Sequence, residues 1–322
     1  MPRIDQRYLD CVIYLYRSVE AAKAGEGFGG SGCLISVASE FGYEFPDHIY
    51  AVTNKHVVQK GFPVVRLNTV DGNTEVLPLK SNDWIQHQDG DDLAVAPLDL
   101  FPHIQRSYFP ISNGYFLHRE QASGTGWSAF GAGDDTFMVG RFIDHAGNQR
   151  NTPSLRFGSI AMLPFEKVKL ADGYMQEAFL VETRSMRGYS GAPVFVYRPE
   201  LSSRHRTVDY WGNKRYEQGI ADVVGTPTLL GIDCGHWPKH KQVGRIENNK
   251  FIPHHQWKVE SNTGLAIVIP AWRLSDLLNR KELAMQRRQK DHEYQDEKEA
   301  EETVAPDTDK PERNPNAARF RS

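Results

Sequence analysis

Cysteine is scarce. Cys11, Cys33 and Cys234 are the only three among 322 residues, and an odd, sparse set excludes a disulfide framework and points to reduced thiols in an intracellular setting. Long apolar runs are missing as well. The longest, Gly264-Leu-Ala-Ile-Val-Ile-Pro270, is far too short to cross a bilayer, and the first eight residues lack the apolar core of a signal peptide. These absences predict a cytoplasmic protein with no membrane contact. Neither charge dominates, with 38 Lys and Arg against 41 Asp and Glu and a net charge of -3, which argues against a dedicated nucleic-acid binder. Metal-ligand spacing is also lacking. His254-His255 and the group Cys234, His236 and His240 fit no standard zinc pattern, so no metal and no other cofactor is expected.

What is present is ordinary apolar content, 39% of residues, in a chain long enough to bury a sizeable core. Short β-branched and aromatic runs recur between turn signals. They include Cys11 to Tyr16, Cys33 to Val37, Ile49 to Val58, Val64 to Leu67, Glu75 to Leu79 and Asp92 to Leu98. A turn-rich stretch from Ser107 to Gly126 then links to a second series beginning at Asp135. Many short strands with regular turns predict an all-β barrel or sandwich. Gly25, Gly27 and Gly30 match G-x-G-x-x-G, but they lead into a strand, where a dinucleotide site needs a helix N-terminus. Two polar stretches, 198–226 and 236–263, read as long surface loops. The first interleaves Arg198, Arg204, Arg206, Lys214 and Arg215 with Tyr210, Trp211 and Tyr216, a solvated pattern more than an RNA-binding one. After Pro270, Leu274, Leu277 and Leu278 recur at helical spacing and predict a C-terminal helix over 270–288. Residues 289–322 are charged and read as a disordered tail.

One loop carries chemistry. Met186-Arg-Gly-Tyr-Ser-Gly-Ala-Pro-Val194 sets Ser190 between two glycines, ahead of an apolar strand. A serine hydroxyl becomes a nucleophile only beside a base and near donors for the oxyanion. On its own the segment reads equally as a tight turn between strands. Partners stand upstream, His56 at the end of Ile49-Tyr-Ala-Val-Thr-Asn-Lys-His56 and an acid at the head of Asp92-Leu-Ala-Val. Asp89 and Asp91 are rival acids.

The three segments, TNKHVV, DLAV and GYSGAPV, occur in the order His, Asp, Ser. They resemble the corresponding segments of trypsin-like, chymotrypsin-fold serine peptidases, with the bacterial Deg/HtrA type as the nearest branch. The resemblance implies two six-stranded barrels, 7–110 and 127–270, within a peptidase domain of residues 1–282, and an active site in the cleft between them. It places His56 as general base, Asp92 as its orienting acid and Ser190 as nucleophile, with the Gly188 and Ser190 amides as oxyanion hole. It puts Arg184 near the base of the specificity pocket, with Cys234, Gly235 and Gly264 in its walls, and lets an extended peptide pair with the edge from Gly231 to Gly235. The 40 residues after Glu282 are too few for the peptide-binding domain that many Deg-type proteins carry. Tyr189 departs from the zymogen-activated enzymes, where an aspartate precedes the serine. Activity is therefore expected without propeptide removal, under control of a partner, of self-association or of loop ordering. The expected function is hydrolysis of protein or peptide substrates. A catalytically idle, peptide-binding use of the same cleft and a structural role in a multi-protein bacterial system are the alternatives.

Overall fold

Strand β1 (Val12–Tyr16) shows how the chain divides its core. Successive side chains of a strand point to opposite faces. Ile13 and Leu15 enter the interior of the first half with Leu34, Ala51, Val65 and Ala96. Val12, Tyr14 and Tyr16 face a second cluster shared by both halves, with Phe137, Phe195, Leu229 and Ile269. The strand is buried on both faces, which its unbroken apolar run requires.

The computed structural model describes residues 4–42, 45–69, 72–99, 109–123, 130–141, 150–170, 173–183, 188–197, 227–247 and 250–304. After α1 (Arg7–Asp10) and β1 comes α2 (Val19–Ala24), capped by the Ser18 hydroxyl at its start and by Gly25 at φ 72° at its end. Then follow β2 (Phe28–Val37), β3 (His48–Thr53), α3 (Lys55–Gln59), β4 (Val64–Asn68), β5 (Thr74–Leu77), β6 (Ile85–Gln86), β7 (Ala94–Leu98) and β8 (Ile111–Ser112). They form one sheet in the order β5-β4-β1-β2-β3-β7-β6, with β8 parallel to β2.

The second half comprises β9 (Asp135–Arg141), β10 (Pro153–Met162), a small hairpin of β11 (Val168–Lys169) and β12 (Met175–Gln176), β13 (Phe179–Glu182), β14 (Pro193–Val196), β15 (Thr228–Glu247) and β16 (Lys250–Pro270). Six of these close into a barrel in the order β10-β13-β16-β15-β14-β9. Met138, Phe179, Val181, Tyr189, Val194, Leu230 and Val268 fill it. The chain is thus all-β in its body and chymotrypsin-like, ending in α4 (Ala271–Leu278) and α5 (Lys281–Val304).

Three expectations need correction. The stretch 236–263 is a hairpin arm, because β15 and β16 continue pairing past the barrel to Glu247 and Lys250. Hydropathy misses it since Ile246, Trp257 and Val259 stay exposed. The expected single helix over 270–288 is two, since α4 ends at Leu278 and α5 begins at Lys281. Residues 289–304 are helical and not a disordered tail. The Asp291 carboxylate is buried, accepting from His48 Nε2 at 2.8 Å and from the Glu40 amide at 3.2 Å, and Lys290 pairs with Asp99. A charged helix docks here through polar contacts. The basic and aromatic stretch 198–226 lies outside the described residues. All three cysteines are thiols, and among the described residues no helix is long and apolar enough to cross a membrane.

Candidate active site

His56 and Asp92 come from turns that leave neighbouring strands. Strand β3 ends at Thr53, so His56 lies in the one-turn helix α3 and not on the strand. Asp92 precedes β7, which pairs with β3 through Thr53 and Ala94. Asn54 fastens the two turns together by donating its side-chain amide to the Asp92 carbonyl at 2.9 Å. Asp92 then engages His56 twice. Its Oδ1 accepts the His56 backbone N–H at 2.8 Å, and its Oδ2 lies 2.5 Å from Nδ1. This fixes the imidazole with Nδ1 protonated and leaves Nε2 as the basic nitrogen. The Asp92 side chain is 13% exposed and that of His56 29%, so the ring reaches solvent while the acid behind it is sheltered.

The rival acids do other work. Asp91 is buried and takes the Tyr174 hydroxyl at 2.9 Å and Arg273 Nε at 2.5 Å. Asp89 takes Arg273 NH2 at 2.7 Å. Burial works against the Arg273 charge, but the hydrogen bonds it donates to both aspartates raise its pKa above the usual guanidinium range. The Tyr174 phenol is pushed up to about 12 by burial and then by Asp91. Gln176 on β12 accepts the Asp92 N–H at 3.3 Å. A clamp from the second half and α4 therefore holds the acid loop of the first half. His87, beneath it, has its pKa lowered by burial, and its Nδ1 accepts the Asp89 N–H at 3.2 Å, which requires the neutral ring.

The Ser190 loop enters from the second barrel. Gly188 has φ 97° and Gly191 φ 90°, left-handed values that favour glycine. A Cβ on Gly191 would collide with the Ser31 carbonyl and lie 2.5 Å from Thr53 Oγ1, so the loop presses directly on the end of β3 ahead of His56. The Ser190 carbonyl accepts the Ser31 N–H at 2.9 Å, and the Gly191 N–H donates to Asp233 O at 2.8 Å. Among the described residues, the Ser190 hydroxyl makes no hydrogen bond to His56. Such bonds often tighten only when substrate binds. Tyr189 is fully buried, with its hydroxyl against Ser154 Oγ and the Arg156 guanidinium 5.0 Å from its ring centre. An anchored phenol occupies the position where an acid was absent from the sequence.

The remaining site residues separate. Gly264 accepts the Thr183 N–H at 2.8 Å, which brings it beside the chain entering position 184. Arg184 itself lies outside the described residues. Cys234 sits at a bulge between Asp233 and Gly235, where the β15 register shifts. Gly231 and Ile232 are paired on both sides, to β14 and to β16, so that part of the expected peptide-binding edge is already taken. Sequence reasoning missed Ser31, Gln176, Tyr174 and Arg273. Ser31 directly follows Gly30 of the glycine-rich stretch, whereas the others carried no local signal.

No family model and no curated protein matches this chain. Solved structures similar in shape include the MamO protease domain from Magnetospirillum magneticum, 14% identical, covering 84% of this chain and 96% of that one with a TM-score of 0.45. The HtrA-type protease AlgW with a decapeptide is 15% identical over 78% of this chain and 51% of its own, with a TM-score of 0.42. An inactive form of Rv3671c from M. tuberculosis is 14% identical over 84% and 87%, with a TM-score of 0.40. These similarities are distant, and the fold stands on the strand order and register given above. With its closed second barrel packed against the first sheet through a shared core, the chain has a chymotrypsin-like, all-β fold.

Proposed function

We propose that the protein is a serine endopeptidase acting through His56, Asp92 and Ser190. His56 Nε2 takes the Ser190 hydroxyl proton as Oγ attacks the scissile carbonyl carbon. The carbonyl electrons move to an oxyanion held by the Gly188 and Ser190 amides. Collapse expels the amine, which receives the proton from His56, and water repeats the sequence to release the acid. Asp92 holds the ring tautomer and stabilises the imidazolium without itself taking the proton. The observation that carries the reading is the two-point contact of Asp92 with His56, with the free ring nitrogen turned away from the acid. Substrates are proteins or peptides, and the reduced thiols fit a cytoplasmic setting.

One observation favours a second reading, an idle cleft that binds peptide without cleaving it. The Ser190 hydroxyl and His56 are not hydrogen-bonded to each other among the described residues. Hydrolysis of a denatured protein substrate decides between the two. The peptidase reading expects cleavage by the native sequence and none by Ser190→Ala, with both proteins equally folded. Equal cleavage by both would remove Ser190 from the chemistry. Binding without cleavage by the native protein would favour the idle cleft.

A further inference from the structure

We propose that Ser31, on β2 of the first half, is a positioning residue that sets the shape of the oxyanion loop across the junction. The proposal rests on the reading of Ser190 as nucleophile. Ser31 is completely buried, and every polar group it has is engaged. Its hydroxyl donates to Gly188 O at 2.6 Å and accepts the Arg141 N–H at 2.9 Å. Its N–H donates to Ser190 O at 2.9 Å, and its carbonyl accepts the Thr53 hydroxyl at 2.8 Å.

The consequence follows from peptide planarity. A trans peptide points its N–H opposite to its C=O, so fixing the oxygen fixes the donor. Three consecutive oxygens of this loop are held. Gly188 O takes the Ser31 hydroxyl, Tyr189 O takes the Ala192 N–H at 2.7 Å, and Ser190 O takes the Ser31 N–H. The peptide that carries the Ser190 N–H is the middle one. Ser31 grips the peptides on either side of it, and Gly188 has the left-handed φ of 97° that the turn needs. Tyr189 closes the arrangement from below through Ser154. The loop is thereby shaped by hydroxyl contacts from β2 and β10, with no buried ion pair at position 189.

A residue that shapes the oxyanion site affects the transition state more than substrate binding. The test compares wild type, Ser31→Ala and Ser31→Cys on one chromogenic peptide. Each is also assayed with a peptidyl trifluoromethyl ketone, which forms a tetrahedral adduct, and with the product-like peptide acid. For Ser31→Ala we expect kcat to fall about ten- to a hundredfold with KM changed by less than about twofold. Trifluoromethyl ketone affinity should fall in the same proportion as kcat/KM, while binding of the peptide acid holds. Ser31→Cys keeps the size and a weak donor and acceptor, so it should lie between the two. It also carries the test if the alanine variant fails to fold. Ser31→Cys with wild-type kcat, or a loss confined to KM, overturns the proposal and leaves the nucleophile reading standing. A wild type that neither turns over the peptide nor binds the ketone overturns both.

Discussion

Replacing Arg273 with alanine should destabilise the whole fold, although it touches none of the three proposed catalytic side chains. Arg273 reaches from α4 to two acids of very different exposure. The Asp91 side chain is 3% exposed and lies 2.5 Å from Nε, whereas that of Asp89 is 58% exposed. An exposed pair is worth under about 1 kcal/mol. Removing one partner of a buried pair strands the other charge and costs about 3–5 kcal/mol. Asp91 would keep the Tyr174 hydroxyl at 2.9 Å, so the low end applies and Arg273→Ala should cost about 3 kcal/mol. In a chain of this size that is roughly 4–5 °C in Tm. Asp91→Asn removes the charge that needs the arginine, so the double variant should be more stable than additivity predicts, by at least about 1 kcal/mol. Urea unfolding of the four proteins measures this. Arg273→Ala within about 0.5 kcal/mol of wild type would refute the claim that Asp91 is charged and dependent on Arg273.

Asp92→Asn should lower kcat by about 10⁴-fold at unchanged stability, because an amide facing Nδ1 admits the wrong ring tautomer; steady-state kinetics on a peptide substrate check it. Truncation before Glu293 should leave Tm within a few degrees, since the removed turns are mostly exposed. Truncation before Arg287 removes Asp291 and uncovers His48, and should cost about 1–3 kcal/mol in urea unfolding. For pH, the folded-state pKa of His87 lies below its unfolded value, so the unfolded chain binds the extra proton. The His87 contribution to stability should therefore be intact above about 6.5 and be lost as pH drops below it, by at most about 1.4 kcal/mol per unit, with His48 adding a contribution of the same sign. Unfolding at pH 7.5 and 5.5 tests this, and a His87→Asn variant with the same slope as wild type would contradict it.

The strands legible in the sequence were those with apolar side chains on one or both faces, such as β1, β3, β7 and β14. The hairpin arm was not legible, because its outer half is held largely by backbone pairing while large apolar side chains such as Ile246, Trp257 and Val259 face solvent. Nor was the end of α5, where a charged helix docks through His48, Asp99 and Glu40. Periodicity reports burial of apolar side chains on the helix, and this stretch docks through polar and charged ones, with His292 and Lys298 lying against the rings of Phe41 and Phe45. At the site, motif order singled out His56, Asp92 and Ser190; the structure pairs His56 with Asp92 and seats the loop after Ser190 against Thr53 at the end of β3. The choice between Asp91 and Asp92 rested on resemblance, and the structure gives it a cause, since Asp91 turns towards Tyr174 and Arg273. Ser31 escaped notice because its contacts reach Arg141, Gly188 and Ser190, more than a hundred positions away.

The central claim is that Ser190 is a nucleophile activated by His56. Incubation of the native protein with a fluorophosphonate, followed by mass analysis of the peptide containing Ser190, tests it directly. The account predicts one adduct per chain on Ser190, absent in Ser190→Ala and slowed at least a hundredfold in His56→Ala. No adduct on the native protein under any condition, or an adduct formed equally fast without His56, would contradict it.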